Sequence, residues 1–310
     1  MKRETIPIFF SVDDRYIPYL AVAVASIREN ASEKYDYRLH VLHVGVSRKN
    51  RNRIASLAGD HFTVEFSDVR EYLLRMSGRL HLRDYYTVAT YFRFFIPDLF
   101  PDYDKGIYLD CDVAVNGDVS EIYETGLGEN LLGAVTEEVM TDIPTYGRYS
   151  REVLGIEPKN YFNAGVLLMN LQKMRKEGLL DRFTALLDRR YLPVAQDQDY
   201  LNLLSAGRVV YLDGRWNKTP FPYAPEEEPK LAHYKMSMKP WHYRGVKYED
   251  CFWRYAAKTA WYEELLAERD SYTAQDAARD ALQGENLLRL AEEEIEKAAR
   301  EEQFFPAVYA

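Results

Sequence analysis

The size, composition and charge of the chain exclude several classes of protein. Its 310 residues, 47% of them hydrophobic, suffice for one large α/β domain or two small ones. The formal net charge of −9 disfavours a general nucleic-acid binder, which needs a basic surface to neutralise phosphates. No run approaches the ~18 apolar residues of a transmembrane helix. With no signal-peptide pattern and only two cysteines, Cys111 and Cys251, we expect a cytoplasmic location.

Strand and helix patterns alternate in the first part of the chain. Apolar, β-rich runs predict strands at residues 6–12, 38–46 and 62–69, and apolar residues at helical spacing predict helices at 19–29 and 51–58. Such alternation predicts a mostly parallel sheet with helices on both faces.

The remaining elements follow in the same way. Residues 86–99 predict a helix that ends near Pro97, and residues 105–115 give the strongest strand pattern of the chain. Further strands are predicted at 131–135, 166–169 and 208–212, and further helices at 181–190 and 198–205. The segment 213–229 carries four prolines and is predicted to be a loop.

After Trp241 the pattern changes to two helices, predicted at 248–268 and 274–302. The second helix is acidic and places four apolar residues on one face, namely Leu288, Ala291, Ile295 and Ala298. We expect this stripe to dock on the domain or on a partner helix, which allows a homo-oligomer through the C-terminal helices.

Asp110 and Asp112 lie near the end of the strongest predicted strand. Residues i and i+2 of a strand point to the same side, so both carboxylates face one cation while Cys111 points away into packing. Two carboxylates and two diphosphate oxygens supply much of the octahedral shell of Mg²⁺ or Mn²⁺. The same spacing recurs at 102–104 and 197–199, but Asp110 lies at the carboxyl end of an apolar strand, where open α/β sheets bind ligands.

Other polar residues border apolar elements further along the chain. His233 is a candidate metal ligand and Lys239 a candidate phosphate contact, although a lone histidine is more often packed or solvated. The polar residues of segments 161–165 and 196–199 could hydrogen-bond sugar hydroxyls. Residues that only cap secondary-structure elements would give the same sequence pattern. No dinucleotide fingerprint, Walker A loop or Gly-x-Ser-x-Gly elbow occurs, which disfavours a dehydrogenase, an NTPase and an α/β-hydrolase.

The order of these motifs resembles that of the family-8 glycosyltransferases, which include bacterial lipopolysaccharide galactosyl- and glucosyltransferases and glycogenin. The matching segments are 10–16, 90–93, 108–112, 161–170, 196–199, 233–234 and 239–241. The resemblance predicts a glycosyltransferase domain at residues 1–245 and a helical C-terminal extension at 246–310. It implies a GT-A fold, an α/β architecture with a Rossmann-like, mixed but mostly parallel sheet flanked by helices.

The resemblance also implies an activity and residue roles. The activity is that of a retaining enzyme that uses Mn²⁺ or Mg²⁺ to move galactose or glucose from a UDP-hexose to a glycan or lipopolysaccharide-type acceptor. The implied metal ligands are Asp110, Asp112 and His233. The implied donor-binding residues are Asp13, Tyr16, Arg93, Cys111, Asn163 and Lys239. The implied catalytic residues beside the donor sugar are Asp197 and Gln198.

Two positions depart from the family pattern. Met236 stands where the family has a glycine in the loop that closes over the diphosphate, and Arg15 stands where an asparagine often contacts the ribose. Two other functions remain open on the residues alone. One is a nucleotide-sugar-binding protein that has lost transfer, and the other is a self-glycosylating primer like glycogenin, which the 25 tyrosines permit.

The family position of Gln198 bears on the mechanism. A retaining hydrolase places a carboxylate on the far face of the sugar as a nucleophile, whereas an amide is a very poor nucleophile. We therefore expect front-face attack, with double displacement through Asp197 as the minority interpretation. Lys239 and Lys235 are expected to stabilise the leaving diphosphate without supplying a proton.

Overall fold

The computed structural model describes residues 3–76, 78–80, 88–221 and 227–304. Within these ranges the chain forms two sheets. The strands are β1 Glu4–Ser11, β2 Tyr35–His43, β3 Phe62–Asp68, β4 Gly106–Leu109, β5 Val113–Val115, β6 Leu132–Thr136, β7 Phe162–Met169, β8 Val209–Tyr211 and β9 Leu231–His233.

The α-helices lie between and after the strands. They are α1 Ile17–Asn30, α2 Arg48–Ala55, α3 Arg70–Arg75, α4 Ile96–Leu99, α5 Ser120–Tyr123, α6 Glu138–Asp142, α7 Pro144–Arg148, α8 Leu171–Lys176, α9 Leu179–Arg189, α10 Asp197–Leu204, α11 Glu249–Ala256, α12 Tyr262–Ser271 and α13 Ala274–Phe304.

The large sheet has seven strands in the order β3-β2-β1-β4-β7-β6-β8. Its pairs are parallel, except that β7 runs antiparallel to both β4 and β6. This confirms the mixed, mostly parallel sheet expected from the sequence. The strand order reverses between β1 and β4, and such a switch point leaves a crevice at the carboxyl ends of the two strands.

Both faces of the large sheet are covered, which explains why its strands are almost continuously apolar. Ile8 and Phe10 of β1 belong to one buried cluster, while Phe9 belongs to the cluster on the other side. Successive side chains of a strand point to opposite faces, so a strand buried on both faces has no polar alternation.

The predicted strand at 105–115 is wrong as a single element. The chain leaves the large sheet after Leu109, and β5 pairs instead with β9 in a separate two-stranded sheet. Asp110 and Asp112 occupy the break between β4 and β5. The apolar character is continuous because Ile107, Leu109, Val113 and Val115 are all buried in the same cluster.

Two predicted helices also differ from the structure. In the region 86–99, Val88–Phe94 forms a 3-10 helix, and Pro97 lies in the first turn of α4, where its missing N–H costs nothing; residues 86–87 lie outside the described ranges. The predicted helix at 248–268 is two helices, α11 and α12. The predicted loop at 213–229 contains a 3-10 turn at Gly214–Asn217, and its residues 222–226 are not described.

The apolar stripe of α13 docks on the domain itself. Ala291 and Ile295 are buried in the second cluster, and Leu288 and Ala298 pack against it. The helix contacts α7 and the π-helix Tyr149–Val153. The sequence left open whether this stripe docks on the domain or on a partner helix, and the structure shows that it docks on the domain. No helix in the described ranges has an apolar stretch long enough to cross a membrane.

Candidate active site

A cavity of about 220 Å³ lies where the carboxyl ends of β1 and β4 meet. Asp13 follows β1 and Asp110 follows β4, and both line this cavity. The remaining predicted site residues that line it are Tyr16, Arg93, Cys111, Asp112, Asn163, Asp197, Gln198, His233 and Lys239. The fold therefore brings every predicted site residue to one place.

Asp110, Asp112 and His233 form a group suited to a divalent cation. One ligand atom from each lies within 4.8 Å of the others. His233 Nε2 is 3.3 Å from Asp112 Oδ1 and 3.8 Å from Asp110 Oδ2. The small sheet causes this approach, because Val113 of β5 pairs directly with His233 of β9.

Gly165 leaves the space that this group requires. A Cβ at this position would lie 2.3 Å from His233 Cε1 and 2.6 Å from Asp110 Oδ2. Its carbonyl also accepts a hydrogen bond from the Asp110 backbone N–H at 2.8 Å. Two carboxylates and one imidazole around an open space fit Mn²⁺ or Mg²⁺, with positions left for oxygen ligands from a substrate.

Asn217 orients the imidazole of His233, a role that the sequence did not predict. Its Oδ1 lies 2.8 Å from His233 Nδ1, so a proton on Nδ1 leaves the lone pair of Nε2 directed at the carboxylates. Its Nδ2 donates to Asn163 Oδ1 at 2.9 Å. The residue lies in the 3-10 turn of a segment predicted only as loop, so no periodic pattern indicated it.

Arg93 connects the Asp-Asp-His group to Asp197. This buried guanidinium is 3.0 Å from Asp110 Oδ1 and 3.1 Å from Asp197 Oδ2. It also donates to the carbonyl of Ala164. Burial opposes the charge, but Asp197, Tyr108 and Asp110 hold the pKa of Arg93 above its usual value.

Asp197 is buried beside this arginine. Burial raises its pKa to about 6, against the opposing effects of Arg93 and of a hydrogen bond from the Thr90 hydroxyl. One oxygen of the carboxylate thus faces Thr90 and the other faces Arg93.

The Gln198 amide is held by β7. Its Oε1 accepts from the backbone N–H of Ala164 at 2.9 Å and from Asn163 Nδ2 at 3.2 Å. Its Nε2 donates to the Tyr161 hydroxyl at 3.4 Å. These bonds fix the orientation of the side chain at the wall of the cavity.

The neighbouring Asp199 has a structural environment. It is fully buried and accepts hydrogen bonds from the hydroxyls of Tyr149 and Tyr161 and from the backbone of Ala195. Burial raises its pKa to about 6. It does not line the cavity, so within the motif 196–199 only Asp197 and Gln198 face it.

Asp13 and Tyr16 line another part of the cavity wall. Asp13 Oδ1 caps the 3-10 turn Asp14–Tyr16 by accepting from the backbone of Arg15 at 2.9 Å and of Tyr16 at 3.1 Å. The Arg15 side chain is 83% exposed and lies 3.5 Å from Asp13 Oδ2. The Cys111 thiol donates to the Ser11 carbonyl at 3.3 Å, which agrees with a side chain directed into packing.

Two lysines and a methionine form the remaining wall. Lys239 Nζ is 2.5 Å from Asp112 Oδ2, whereas Lys235 forms a buried ion pair with Glu137. Although burial opposes it, Lys239 and His233 hold the pKa of Asp112 well below its usual value. Met236 has a φ of 56°, so it adopts the left-handed conformation for which glycine is suited.

A Rossmann-like sheet with an Asp-Asp-His group at its switch point is typical of glycosyltransferases that use nucleotide-sugar donors. The profile described as Glycosyl transferase family 8 matches residues 7–245. The chain therefore belongs to this family, and the expectation of a sugar-transferring enzyme is confirmed.

Individual relatives agree. The lipopolysaccharide 1,3-galactosyltransferase of Salmonella typhimurium is 27% identical over 257 residues, covering 77% of this chain and 74% of that protein. The galactosyltransferase LgtC, solved with donor and acceptor sugar analogues, has a TM-score of 0.71 and 29% identity over 84% of this chain and 100% of its own. The bifunctional glycosyltransferase WbbM has a TM-score of 0.76 and 27% identity over 87% of this chain. This chain spans about half of WbbM (53%). These likenesses confirm the GT-A fold.

Proposed function

We propose that this protein is a retaining, divalent-metal-dependent hexosyltransferase that moves galactose or glucose from a UDP-hexose to a glycan or lipopolysaccharide-type acceptor. The observation that carries the proposal is the convergence of Asp110, Asp112 and His233 on one point of the cavity. Relatives named as lipopolysaccharide 1,3-galactosyltransferase and 1,2-glucosyltransferase support a hexose as the transferred sugar.

The charges of the site suit the departure of a nucleoside diphosphate. Mn²⁺ or Mg²⁺ held by Asp110, Asp112 and His233 would supply positive charge beside the diphosphate. Lys239, whose Nζ lies 2.5 Å from Asp112 Oδ2, adds another positive charge at this place. A diphosphate leaves as a stable anion, so electrostatic stabilisation suffices and no general acid is required.

The nucleoside is assigned to the opposite side of the cavity. We propose that Asp13 and Tyr16 hold the uracil, the aromatic ring by stacking and the carboxylate by hydrogen bonding. Cys111, between Asp110 and Asp112 in the sequence, also lines this cavity and is assigned to the donor site. In the family, an asparagine at the position of Arg15 contacts the ribose. The exposed Arg15 side chain pairs with Asp13 instead, so we assign it no contact with the ribose.

On the sugar side, we assign Arg93, Asn163 and Asp197 to the hydroxyls of the hexose. Both carboxylate oxygens of Asp197 already have partners, Thr90 and Arg93, which makes this group a poor nucleophile. Gln198 is an amide whose oxygen accepts two hydrogen bonds from β7. Both features favour front-face attack, in which a donor phosphate oxygen helps to take the proton of the acceptor hydroxyl.

Metal-dependent donor hydrolysis tests the proposal. Purified protein is incubated with UDP-galactose and with UDP-glucose in the presence of Mn²⁺, Mg²⁺ or EDTA. Asp112→Ala removes one metal ligand and is expected to lower turnover at least about a hundredfold, the scale seen for loss of one preorganised electrostatic group. Asp102→Ala removes an exposed carboxylate from a turn and is expected to leave turnover unchanged. Normal turnover in Asp112→Ala would contradict the metal assignment.

Product analysis tests the stereochemistry and the alternatives. Gln198→Ala is expected to retain weak activity and to give an α-linked product by proton NMR; a β-linked product would refute retention. A hexose adduct on Asp197, found by mass spectrometry, would establish double displacement. An adduct on a tyrosine would indicate a self-glycosylating primer, and donor binding without hydrolysis or transfer would indicate a binding protein.

We also propose a cytoplasmic location and, through the C-terminal helices, a homo-oligomer. Cys111 and Cys251 are buried and unpaired, which suits a reducing compartment. On α13, Ala291 and Ile295 are occupied by the domain, while Leu282 remains 54% exposed. Cell fractionation tests the location, and light scattering of the purified protein tests the oligomeric state.

A further inference from the structure

We propose that Asp280 of α13 positions the loop at residues 234–248, which joins β9 to α11 and carries Lys239, so that the C-terminal extension forms part of the donor site. This inference rests on the proposed function. The helix begins at Ala274, beyond residues 7–245, which match the family profile. Any contact between this helix and the site therefore comes from outside the residues that the family profile covers.

One carboxylate oxygen joins the loop to the extension. Asp280 Oδ2 accepts hydrogen bonds from the Tyr243 hydroxyl at 2.8 Å and from the Tyr272 hydroxyl at 2.7 Å. The ring of Tyr272 also stacks on His242, with centroids 4.0 Å apart. Burial and Asp280 raise the pKa of Tyr243 to about 12, so its phenol remains a donor at neutral pH.

The loop transmits this contact to Lys239. The backbone N–H groups of His242 and Tyr243 donate to the Lys239 carbonyl at 3.0 and 2.9 Å. Holding the two aromatic residues therefore holds the backbone of the lysine. Its ammonium group in turn lies 2.5 Å from Asp112 Oδ2, at the metal group. A short chain of hydrogen bonds thus runs from α13 to the position assigned to the diphosphate.

A second brace comes from α12. Glu268 Oε1 accepts from the Tyr19 hydroxyl at 2.6 Å and lies 3.3 Å from His242 Nε2. The Tyr19 ring stacks on Trp241 at 4.1 Å and contacts Tyr16 at 5.1 Å. The extension thus supports both the loop that carries Lys239 and the side of the cavity assigned to the nucleobase.

Trp241 packs the loop into the core on one side, and on the side of α13 the loop borders a cavity. This second cavity, of about 280 Å³, is lined by residues of both the loop and α13, among them Met236, Lys239, Asp280 and Leu287. Leu287 lines the donor cavity as well. On the cavity side, hydrogen bonds to Asp280 hold the loop in place of close packing, so loss of Asp280 increases the fraction of molecules in which this side of the loop is displaced.

UDP binding in the presence of Mn²⁺ measures this fraction, since apparent affinity falls in proportion to the binding-competent population. Asp280→Ala is expected to raise the Kd for UDP about tenfold. With the UDP-hexose that the wild type hydrolyses, KM is expected to rise similarly while kcat stays within about twofold, because bound donor restores the loop. Asp280→Asn keeps an oxygen acceptor for the two phenols and is expected to recover most of the affinity.

Matched variants separate positioning from general destabilisation. Glu285→Ala removes an exposed carboxylate from the same helix and is expected to leave the Kd unchanged. Tyr243→Phe removes one hydrogen bond and is expected to raise the Kd about threefold; it decides the question if Asp280→Ala does not fold. Wild-type affinity in a folded Asp280→Ala or in Tyr243→Phe would overturn the inference. Failure of the wild type to bind UDP would instead refute the proposed function.

Discussion

Single hydrogen bonds decide how the charged groups of the site are oriented. His233 offers Nε2 to the carboxylates because Asn217 occupies Nδ1, and Asn217 is itself held by Asn163. Arg93 likewise fixes Asp110 and Asp197 relative to each other. Loss of a residue that orients a metal ligand commonly lowers metal affinity or activity by about 10–100-fold, although the residue itself does not touch the metal.

Asn217→Ala is therefore expected to weaken Mn²⁺ binding about 10–100-fold, because His233 loses the partner that fixes its ring. Titration of the UDP-saturated protein with Mn²⁺ measures the effect. Asn52→Ala, which changes an exposed residue of α2, serves as the control and should bind Mn²⁺ like the wild type. Equal affinities in the two variants would show that the hydrogen bond is not needed.

The pH profile of donor hydrolysis reports on Asp197. Its pKa is raised to about 6 by burial, so the carboxylate loses its charge as the pH falls through this value. We expect hydrolysis to decline below about pH 6. Asp197→Asn should be slower and should lack this decline, whereas Asp199→Asn should keep it, because Asp199 does not line the cavity. An unchanged acid limb in Asp197→Asn would assign the limb to another group.

At the scale of elements, the two sheets and α13 build the site together. The large sheet supplies β1 and β4, whose ends carry Asp13 and Asp110, and the small sheet supplies His233 through the pairing of β5 and β9. The helix α13 reaches the cavity with Leu287 and is anchored further along by Ala291 and Ile295. Apolar packing holds this helix on the domain.

Ile295→Ala is expected to lower the free energy of unfolding by ~2–4 kcal/mol, as truncation of a buried aliphatic side chain does. The residue is 3% exposed. Leu282→Ala, on the exposed part of the same helix, should change stability by less than about 0.5 kcal/mol. Urea denaturation of the three proteins provides the comparison, and equal stabilities would mean that α13 does not dock as described.

At the scale of the whole molecule, carboxylates with shifted pKa values couple stability to pH in opposite directions. Burial raises the pKa of Asp199, whereas Lys239 and His233 lower the pKa of Asp112 against the effect of burial. A raised pKa means that the folded state binds the proton more tightly than the unfolded state. Stability from such a group is present at low pH and is lost as the pH rises through the folded value.

For Asp199 this window runs from about 4, the value of an unfolded chain, to the folded value of about 6. Relative to Asp199→Asn, the wild type should lose ~2–3 kcal/mol of unfolding free energy between these pH values. Urea denaturation at pH 4, 5 and 6 tests the difference. A flat difference for Asp199→Asn would show that this carboxylate stays charged.

Periodicity and spacing in the sequence determined the fold class and the pairing of Asp110 with Asp112. Apolar runs identified β1 to β3 and β6 to β8, because a strand buried on both faces must be apolar throughout. The two-residue spacing of Asp110 and Asp112, placed after such a run, predicted that they act together. Motif order alone was sufficient for the family. Periodicity, spacing and motif order are properties of the sequence, so they can be identified without the folded structure.

Only the tertiary structure decided which distant groups meet. The apolar run at 105–115 divides between two sheets because its halves pair with strands from different parts of the chain, β7 and β9. Asn217 and Asp280 gained their roles in the same way, as partners of His233 and Tyr243. A polar residue in a turn or on a helix carries no periodic signal, and its role follows from the hydrogen bonds that folding brings within reach.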